Sequence, residues 1–306
     1  MTGQTFELAS TNPQAFASAI DLELNGMREG LKKDTNRQVY GTTAGILATA
    51  TANGTVTTFI TTNKQYLEID MFVDIYNGAG VLQDANVRIT DISAPPGPFT
   101  ITLDPAVTAT LTGWTMSRNG NRGKEKTGFA DIVIGPNGDG TGALFNITHP
   151  TWTGNVDTTA GALTEARMIA MVHRIRERGG EPTVGFCSMG VQRAYFALLS
   201  SIRQIVNTIE FAGGYKGLAF TVDGKDIPIV ADYDCQPSRL YFMAENELKL
   251  YQAGDWGFMN RDGSRWYRFT DANGRYDAYG ADYYKYCELG THRRNAHGVL
   301  TAITEV

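Results

Sequence analysis

GALTEARMIAMVHRIRERGG, residues 161–180, is the stretch around which the rest of the chain is ordered. Thr164 stands where its hydroxyl can accept a backbone N–H that a first helical turn leaves unpaired. Glu165 follows in that turn, where the positive end of the helix dipole favours a carboxylate. Leu163, Ala166, Ile169, Val172 and Ile175 recur every third residue, and Met168 and Met171 widen the apolar stripe. His173, Arg174, Arg176 and Arg178 crowd the last turn, Gly179-Gly180 supplies a left-handed stop, and Pro182 forbids resumption. The reading is a helix with one buried face, set between a β-rich front and a mixed back. Ile169→Asp is therefore expected to unfold the chain, and Arg176→Ala to leave it intact.

At 306 residues the chain can hold two domains, or one with insertions, around a sizeable core. Hydrophobic content of 42% and charged content of 19% argue against disorder. A net charge of −5 speaks against a free-standing nucleic-acid-binding surface, which needs a basic footprint. No apolar run approaches the roughly 18–20 residues that cross a bilayer, so no membrane partner is expected. MTGQTFELAS at the start lacks the basic and apolar regions of a secretory signal. Cys187, Cys235 and Cys287 are odd in number and far apart, and read as reduced, packed thiols rather than a disulfide framework or zinc site.

Upstream of the central helix, Asn12-Pro13 opens another, with Asn12 as cap and Pro13 at the first helical position. Phe16, Ile20, Leu24, Met27 and Leu31 form its face, and Gly26 and Gly30 weaken it by about 1 kcal/mol each relative to alanine. Such a helix needs a docking partner, in this chain or in a neighbouring copy. From residue 42 to 117, threonine, valine and isoleucine dominate short strands separated by Asn53-Gly54, Asn77-Gly78 and Pro95-Pro96-Gly97. Asn53-Gly54 is the strongest hairpin cue. The segment reads as a compact antiparallel β module or an elaborated hairpin, and its aromatics (Tyr66, Phe72, Tyr76, Trp114) are too scattered for a sugar platform. Residues 118–126 read as a flexible connector, 129–134 as a strand, 135–142 as a wide glycine-rich turn and 143–148 as another strand. Beyond the central helix the pattern predicts a strand at 183–187 and a helix at 188–206 with Val191, Tyr195, Leu198, Ile202 and Ile205 buried. Strands follow at 218–222, 227–231 and 240–243, then a short helix at 245–251 and strands at 277–289 and 298–303.

Few segments carry chemistry. Gly185-Phe186-Cys187-Ser188-Met189-Gly190 lies between a strand and a helix, where a nucleophile elbow would lie, but the glycine spacing is off by one. Ser188 reads as a helix cap, and none of His149, His173, His292 and His297 stands in an acid–base context. GPNGDGTG opens a strand, so no helical N–H groups await a phosphate. Asn137 and Asp139 are calcium-type ligands, yet a bidentate glutamate is missing. Gly123-Lys124 lacks P-loop spacing. His292-Arg293-Arg294 with His297 reads as a solvated loop or an ion-pair partner for another copy, without a third metal ligand. The aromatic tail (Trp266, Tyr267, Phe269, Tyr276, Tyr279, Tyr283, Tyr284, Tyr286) reads as core on one face and subunit interface on the other. No catalytic, cofactor-binding or metal set emerges, and no cofactor is expected.

The order of elements then carries the reading: an N-terminal amphipathic helix, a long β excursion, the helix ending in GGEP, a strand–helix unit, a mixed lobe and a β return. Together with LTEARMIAMVHRIRERGGEPTVGFCS and FAGGYKGLAFTVDGKDIPIVADYDCQPSRLYFMAENELKLYQ (residues 211–252), this order resembles the major capsid proteins of tailed bacteriophages with the Hong Kong 97 type of fold. The resemblance implies an α+β protein with an N-terminal arm at 1–37 and a β-rich extended loop at 38–118. A peripheral domain would take 119–182 with 257–306, around a spine helix, and an axial domain 183–256. It implies no enzymatic role. Copies would assemble through pentamers and hexamers into an icosahedral shell around double-stranded DNA, touched only loosely and non-specifically. Scaffolding would be a separate chain or absent, and any portal and decoration proteins would be separate chains. The protein would reside in the virion and be made in the cytoplasm of the bacterial host. Some relatives form isopeptide crosslinks, for which Lys64 and Asn295 are the conceivable partners here. The alternatives are a tail-tube or decoration protein, favoured by the threonine-rich strands, and a hydrolase using Ser188 or Cys187.

Overall fold

The computed structural model describes residues 13–202, 208–210, 216–260, 263–271 and 274–306. The Asn12 cap and the side chains of Phe16, Ile20, Ile202 and Ile205 lie outside the described residues. Helix α1, Pro13–Tyr40, starts at the proline as expected and runs nine residues past Leu31, the last member of the predicted face. Gly41 N closes it on the carbonyls of Arg37 and Gln38, each at 3.2 Å. Leu22 and Met27 stay exposed along it.

Residues 46–118 form six strands: β1 (Ile46–Thr49), β2 (Thr58–Thr61), β3 (Phe72–Tyr76), β4 (Leu82–Ile92), β5 (Phe99–Asp104) and β6 (Thr115–Arg118). Their order is β1-β6-β3-β4-β5-β2, antiparallel throughout. The two outer strands meet through Thr51 N to Ile60 O at 2.9 Å and the Ala52–Ile60 bridge, so the sheet closes on itself as a small barrel and covers its edges. Phe59, Val73, Ile75, Val87, Ile89, Ile101 and Met116 fill it. Asn77-Gly78 turns β3 into β4, with Asn77 Oδ1 accepting the N–H groups of Ala79 and Val81. Asn53-Gly54 makes no two-residue hairpin, because β1 pairs with β6 and β2 with β5. A different constraint acts there: Gly54 N donates to Thr110 O, and a Cβ on Gly54 would lie 2.1 Å from Thr58 O. The glycine permits a close approach of backbones rather than a turn.

Three further expectations change between the barrel and the central helix. The connector at 118–126 is ordered, with Glu125 and Lys126 buried. Residues 130–134 form a single π-helical turn instead of a strand, closed by Gly135 N to Ala130 O at 3.0 Å. Residues 143–148 reduce to a tight turn around Phe145 and Asn146, both at positive φ, with one bridge between Leu144 and Ile147.

The remaining strands of the body are β7 (Asn155–Asp157), β8 (Val184–Cys187), β9 (Thr208–Glu210), β10 (Lys216–Val222), β11 (Lys225–Ala231) and β12 (Leu240–Met243). They join β19 (Gly298–Leu300) in one sheet of order β7-β19-β12-β8-β11-β10-β9. β8 runs parallel to β11 and β7 parallel to β19. The sheet is covered on both sides, as four consecutive buried residues in β12 require. Leu240 and Phe242 face a core that contains helices α2 (Glu165–Glu177) and α3 (Met189–Ile202). Tyr241 and Met243 face the other core, with Tyr40, Phe129, Ile132 and Val133. Successive residues alternate between the two, the period of a pleated strand.

Thr164 caps α2 as expected, accepting Arg167 N, and Gly179 is left-handed at φ 76°. The buried face centres on Met168, Met171, Val172 and Ile175; Ile169 is at its margin and Ala166 is exposed. The unbranched methionines fill the seam where the every-third-residue pattern put alanine and isoleucine.

By contacts the chain divides into two compact units, 1–36 with 250–288 and 37–249 with 289–306. The barrel and the seven-stranded sheet both belong to the second. Residues 245–251, expected to be helical, form a 3-10 turn (Glu245–Glu247) running into strand β13 (Leu248–Gln252), which pairs with β18 (Cys287–Thr291). The first unit holds short ribbons, β14 (Gly257–Phe258) with β17 (Tyr283–Tyr284) and β15 (Tyr267–Asp271) with β16 (Gly274–Gly280). Trp256 stacks on Tyr283 there at 5.6 Å.

Candidate functional site

Ser188 and Cys187 sit where the sequence put them, at the end of β8 and the start of α3, but their surroundings are structural. Cys187 is wholly buried, and burial, with Glu305 a lesser cause, pushes its thiol up to about 12. Ser188 Oγ accepts the Val191 N–H as a helix cap and donates to Glu305, whose carboxylate also takes Ser238 N at 2.6 Å. The acid lies so close to the helix that a Cβ on Gly190 would be 2.3 Å from Glu305 Oε2. The C-terminal residues thus occupy the space above Ser188. The histidines are engaged elsewhere: His149 with Thr151, His173 with Asp223, and His297 with Thr291 and the Ala244 N–H.

Among the described residues there is no group of three or more His, Cys, Asp or Glu able to hold a metal ion. In the 135–142 turn, Asp139 accepts Thr141 N and Oγ1, and these bonds hold its carboxyl below the usual carboxylate range. Arg294 fills the turn. Read as part of a solvated basic cluster, it is instead fully buried. Its Nε donates to Ile132 O at 2.7 Å and its Nη1 to Gly142 O at 2.8 Å, tying the π-turn to the glycine turn. Burial lowers its pKa, against Asp131 and Asp139, which raise it. A Cβ on Gly135 would collide with Arg294 Nη2 at 2.0 Å, so that glycine serves the arginine. Arg293 donates to the carbonyls of Arg178 and Gly179, and His292 alone of the cluster is exposed.

Among the described residues the candidate site is surface. The loops at one end of the barrel, residues 51–57, 77–83 and 105–113, contain no charged residue. They leave Val56, Val81, Leu82 and Leu111 exposed, and the first and third are tied together through Thr112 N to Asn53 Oδ1 at 3.0 Å. A neutral, apolar surface of this kind is suited to protein contact. In the first unit, Leu250, Tyr251, Tyr284 and Tyr286 are exposed on narrow ribbons. Lys64 Nζ lies 4.5 Å over the Phe99 ring and donates to Ser93 O, and Asn295 Nδ2 donates to Arg178 O, so both side chains have partners within the fold.

The junction between barrel and body holds residues that no sequence pattern marked. Arg37 and Glu125 form a two-bond ion pair, 3.0 and 2.5 Å, with side-chain exposures of 8% and 1%. Gln65 and Tyr66 on the barrel donate to the carbonyls of Tyr233, Asp234 and Cys235. The only sequence signal was negative, a carboxylate between two lysines in a segment that otherwise looked flexible.

The sequence model of the family described as SU10 major capsid protein matches residues 15–304. No curated protein sequence matches the chain. Among solved structures, the encapsulin SrpI from Synechococcus elongatus PCC 7942 aligns at 16% identity and TM-score 0.34 over 53% of this chain and 56% of that one. The capsid asymmetric unit of cyanophage A-1(L) aligns at 19% identity and TM-score 0.43 over 60% of each. Both alignments span less than two thirds of the other protein.

Proposed function

The chain belongs to the SU10 major capsid protein family and is a structural protein of a virion's shell, and from that premise we propose that it has no enzymatic role and self-assembles, through pentamers and hexamers, into an icosahedral shell around double-stranded DNA. The family match across nearly the whole chain carries this reading. We assign the Hong Kong 97 type of architecture to it: residues 1–37 as the arm, 38–118 as the extended loop, 119–182 with 257–306 as the peripheral domain and 183–256 as the axial domain. The seven-stranded sheet draws β7 and β19 from the assigned peripheral domain and β8 to β12 from the assigned axial domain. The exposed apolar residues of α1 and of the three uncharged barrel loops support copy-to-copy contact. A net charge of −5 suits a shell that encloses DNA without adhering to it. Scaffolding, portal and decoration proteins are its expected partners, and the bacterial cytoplasm its place of synthesis. Negative-stain micrographs of the expressed protein are expected to show closed shells, and denatured shells to run as a monomer band. A protein that stayed monomeric in every condition and was missing from the shell of the virion would sink the proposal.

A further inference from the structure

The barrel joins the body by two lengths of chain, residues 37–45 leading in and 119–128 leading out, which run in contact. Gly123 N donates to Ala44 O, and a Cβ on Gly128 would lie 2.4 Å from Gly41 O and 2.6 Å from Gln38 O. The Arg37–Glu125 pair spans these two lengths in the buried interior of the neck. The same guanidinium lies 5.9 Å from the ring centroid of Tyr66, whose hydroxyl donates to Asp234 O at 2.8 Å. Arg37 therefore touches the end of α1, the outgoing chain and the barrel at once.

Packing does not fill this junction. A cavity of about 210 Å³ borders the pair, lined among others by Arg37, Tyr66, Glu125, Gln236 and Arg239. A barrel beside an open space has room to tilt unless directional bonds hold it. A guanidinium and a carboxylate joined by two parallel bonds fix both distance and plane, which an apolar pair of similar volume cannot do.

We propose that Arg37 and Glu125 are a positioning pair that sets the direction in which the barrel projects from the body, and with it the angle at which one copy meets the next. The second half rests on the reading of the barrel as a copy-to-copy contact. Replacing a buried ion pair by apolar residues often leaves stability unchanged, so the pair can be cut without unfolding the chain.

The test uses full-length, unassembled protein carrying a donor and an acceptor dye at Ala79, on the barrel, and Thr158, on the body, both exposed. Single-molecule energy transfer is expected to show one narrow distance population. In Arg37→Met with Glu125→Leu the melting temperature should stay within a few degrees, while the distribution widens at least twofold and assembly yields shells of mixed diameter. Arg37→Lys, which keeps the buried charge paired but gives up the two parallel bonds, guards against a double variant that fails to fold and should widen the distribution to a lesser extent. Exchange of the charges, Arg37→Glu with Glu125→Arg, should narrow it again relative to either single variant. Unchanged width in a folded variant lacking the pair overturns the proposal. A widened distribution with shells of uniform, native diameter upholds the pair as the setter of direction and overturns the reading of the barrel as the assembly contact.

Discussion

The barrel and the body sheet are both rich in buried valine, isoleucine and leucine, yet they are held together at different range. Every barrel strand finds its partner within residues 46–118, and its core is separate from the two body cores. The body sheet pairs β7 with β19, Asn155 against Gly298, so its β7 edge is joined to the rest only once the end of the chain has returned. Short-range antiparallel pairing closes small loops and forms early and locally, whereas long-range parallel pairing must first meet a larger loop-closure cost. The barrel should therefore behave as a folding unit inserted into a body whose cooperativity spans the rest of the second compact unit.

Paired core substitutions give the strongest way to break that contrast. Ile175 is wholly buried against Gly180 and Gly298, and Ile175→Asp places an unpaired carboxylate there at a cost of several kcal/mol. The body should unfold, with hydrogen exchange still showing a protected barrel. Phe59→Ala, in the barrel core, should remove about 3–5 kcal/mol from the barrel alone. A single calorimetric transition shifted equally by both variants would show that the two regions are one cooperative unit.

Arg294 tests the body from its polar side. Arg294→Met keeps much of the stem but deprives Ile132 O and Gly142 O of their donors, at about 1–3 kcal/mol for each carbonyl left dry. The expected loss is roughly 2–5 kcal/mol, confined to the body transition. An equal shift of the barrel transition would contradict the separation.

The pH dependence should also belong to the body. His297 Nδ1 accepts the Ala244 N–H, which fixes the neutral ring with its proton on Nε2, toward Thr291. Protonation would set two N–H groups against each other in a buried site, and burial lowers the pKa from 6.5 to about 4. The folded state then binds fewer protons than the unfolded state between these values. Its stability is fully present above pH 6.5 and falls as the pH drops toward 4, by roughly 3 kcal/mol in all. Melting temperatures of the body transition across this window should slope downward toward acid, and His297→Gln should flatten the slope.

What could be read in the sequence follows the same division by range. The central helix was legible because its signals are local: a cap, a stripe and a glycine stop within twenty residues. The turn at Asn77-Gly78 and the strand at 240–243 were legible for the same reason. Asn53-Gly54 misled because the local cue was satisfied by contacts with Thr58 and Thr110, the latter 56 residues away. The apolar run at 129–134 lacks a helical period over so few residues, and its burial under Arg294 made it a π-turn. The same holds for the surface site. The absence of charge in the barrel loops is visible in the sequence, but that three loops meet at one end follows only from the strand order. Arg37 and Glu125, 88 positions apart, share no local signature at all.

The smallest effects should come from the solvent-facing positions of the central helix, the element that was easiest to read. Thr164→Ala removes the cap bond to Arg167 N, and a lost cap of this kind costs about 1 kcal/mol. Arg176→Ala cuts bonds to Asp223 and to Glu181, whose carboxylates are half exposed at 53% and 46%. Water replaces the guanidinium around both acids, so the expected change is within about 1 kcal/mol. Chemical denaturation should order the two variants with Thr164→Ala at or below Arg176→Ala, both far above Ile175→Asp. An Arg176→Ala loss comparable to that of Arg294→Met would mean that the exposed end of α2 is held as tightly as the buried turn. The distinction between a body held by its interior and a surface left free for contact would then have to be redrawn.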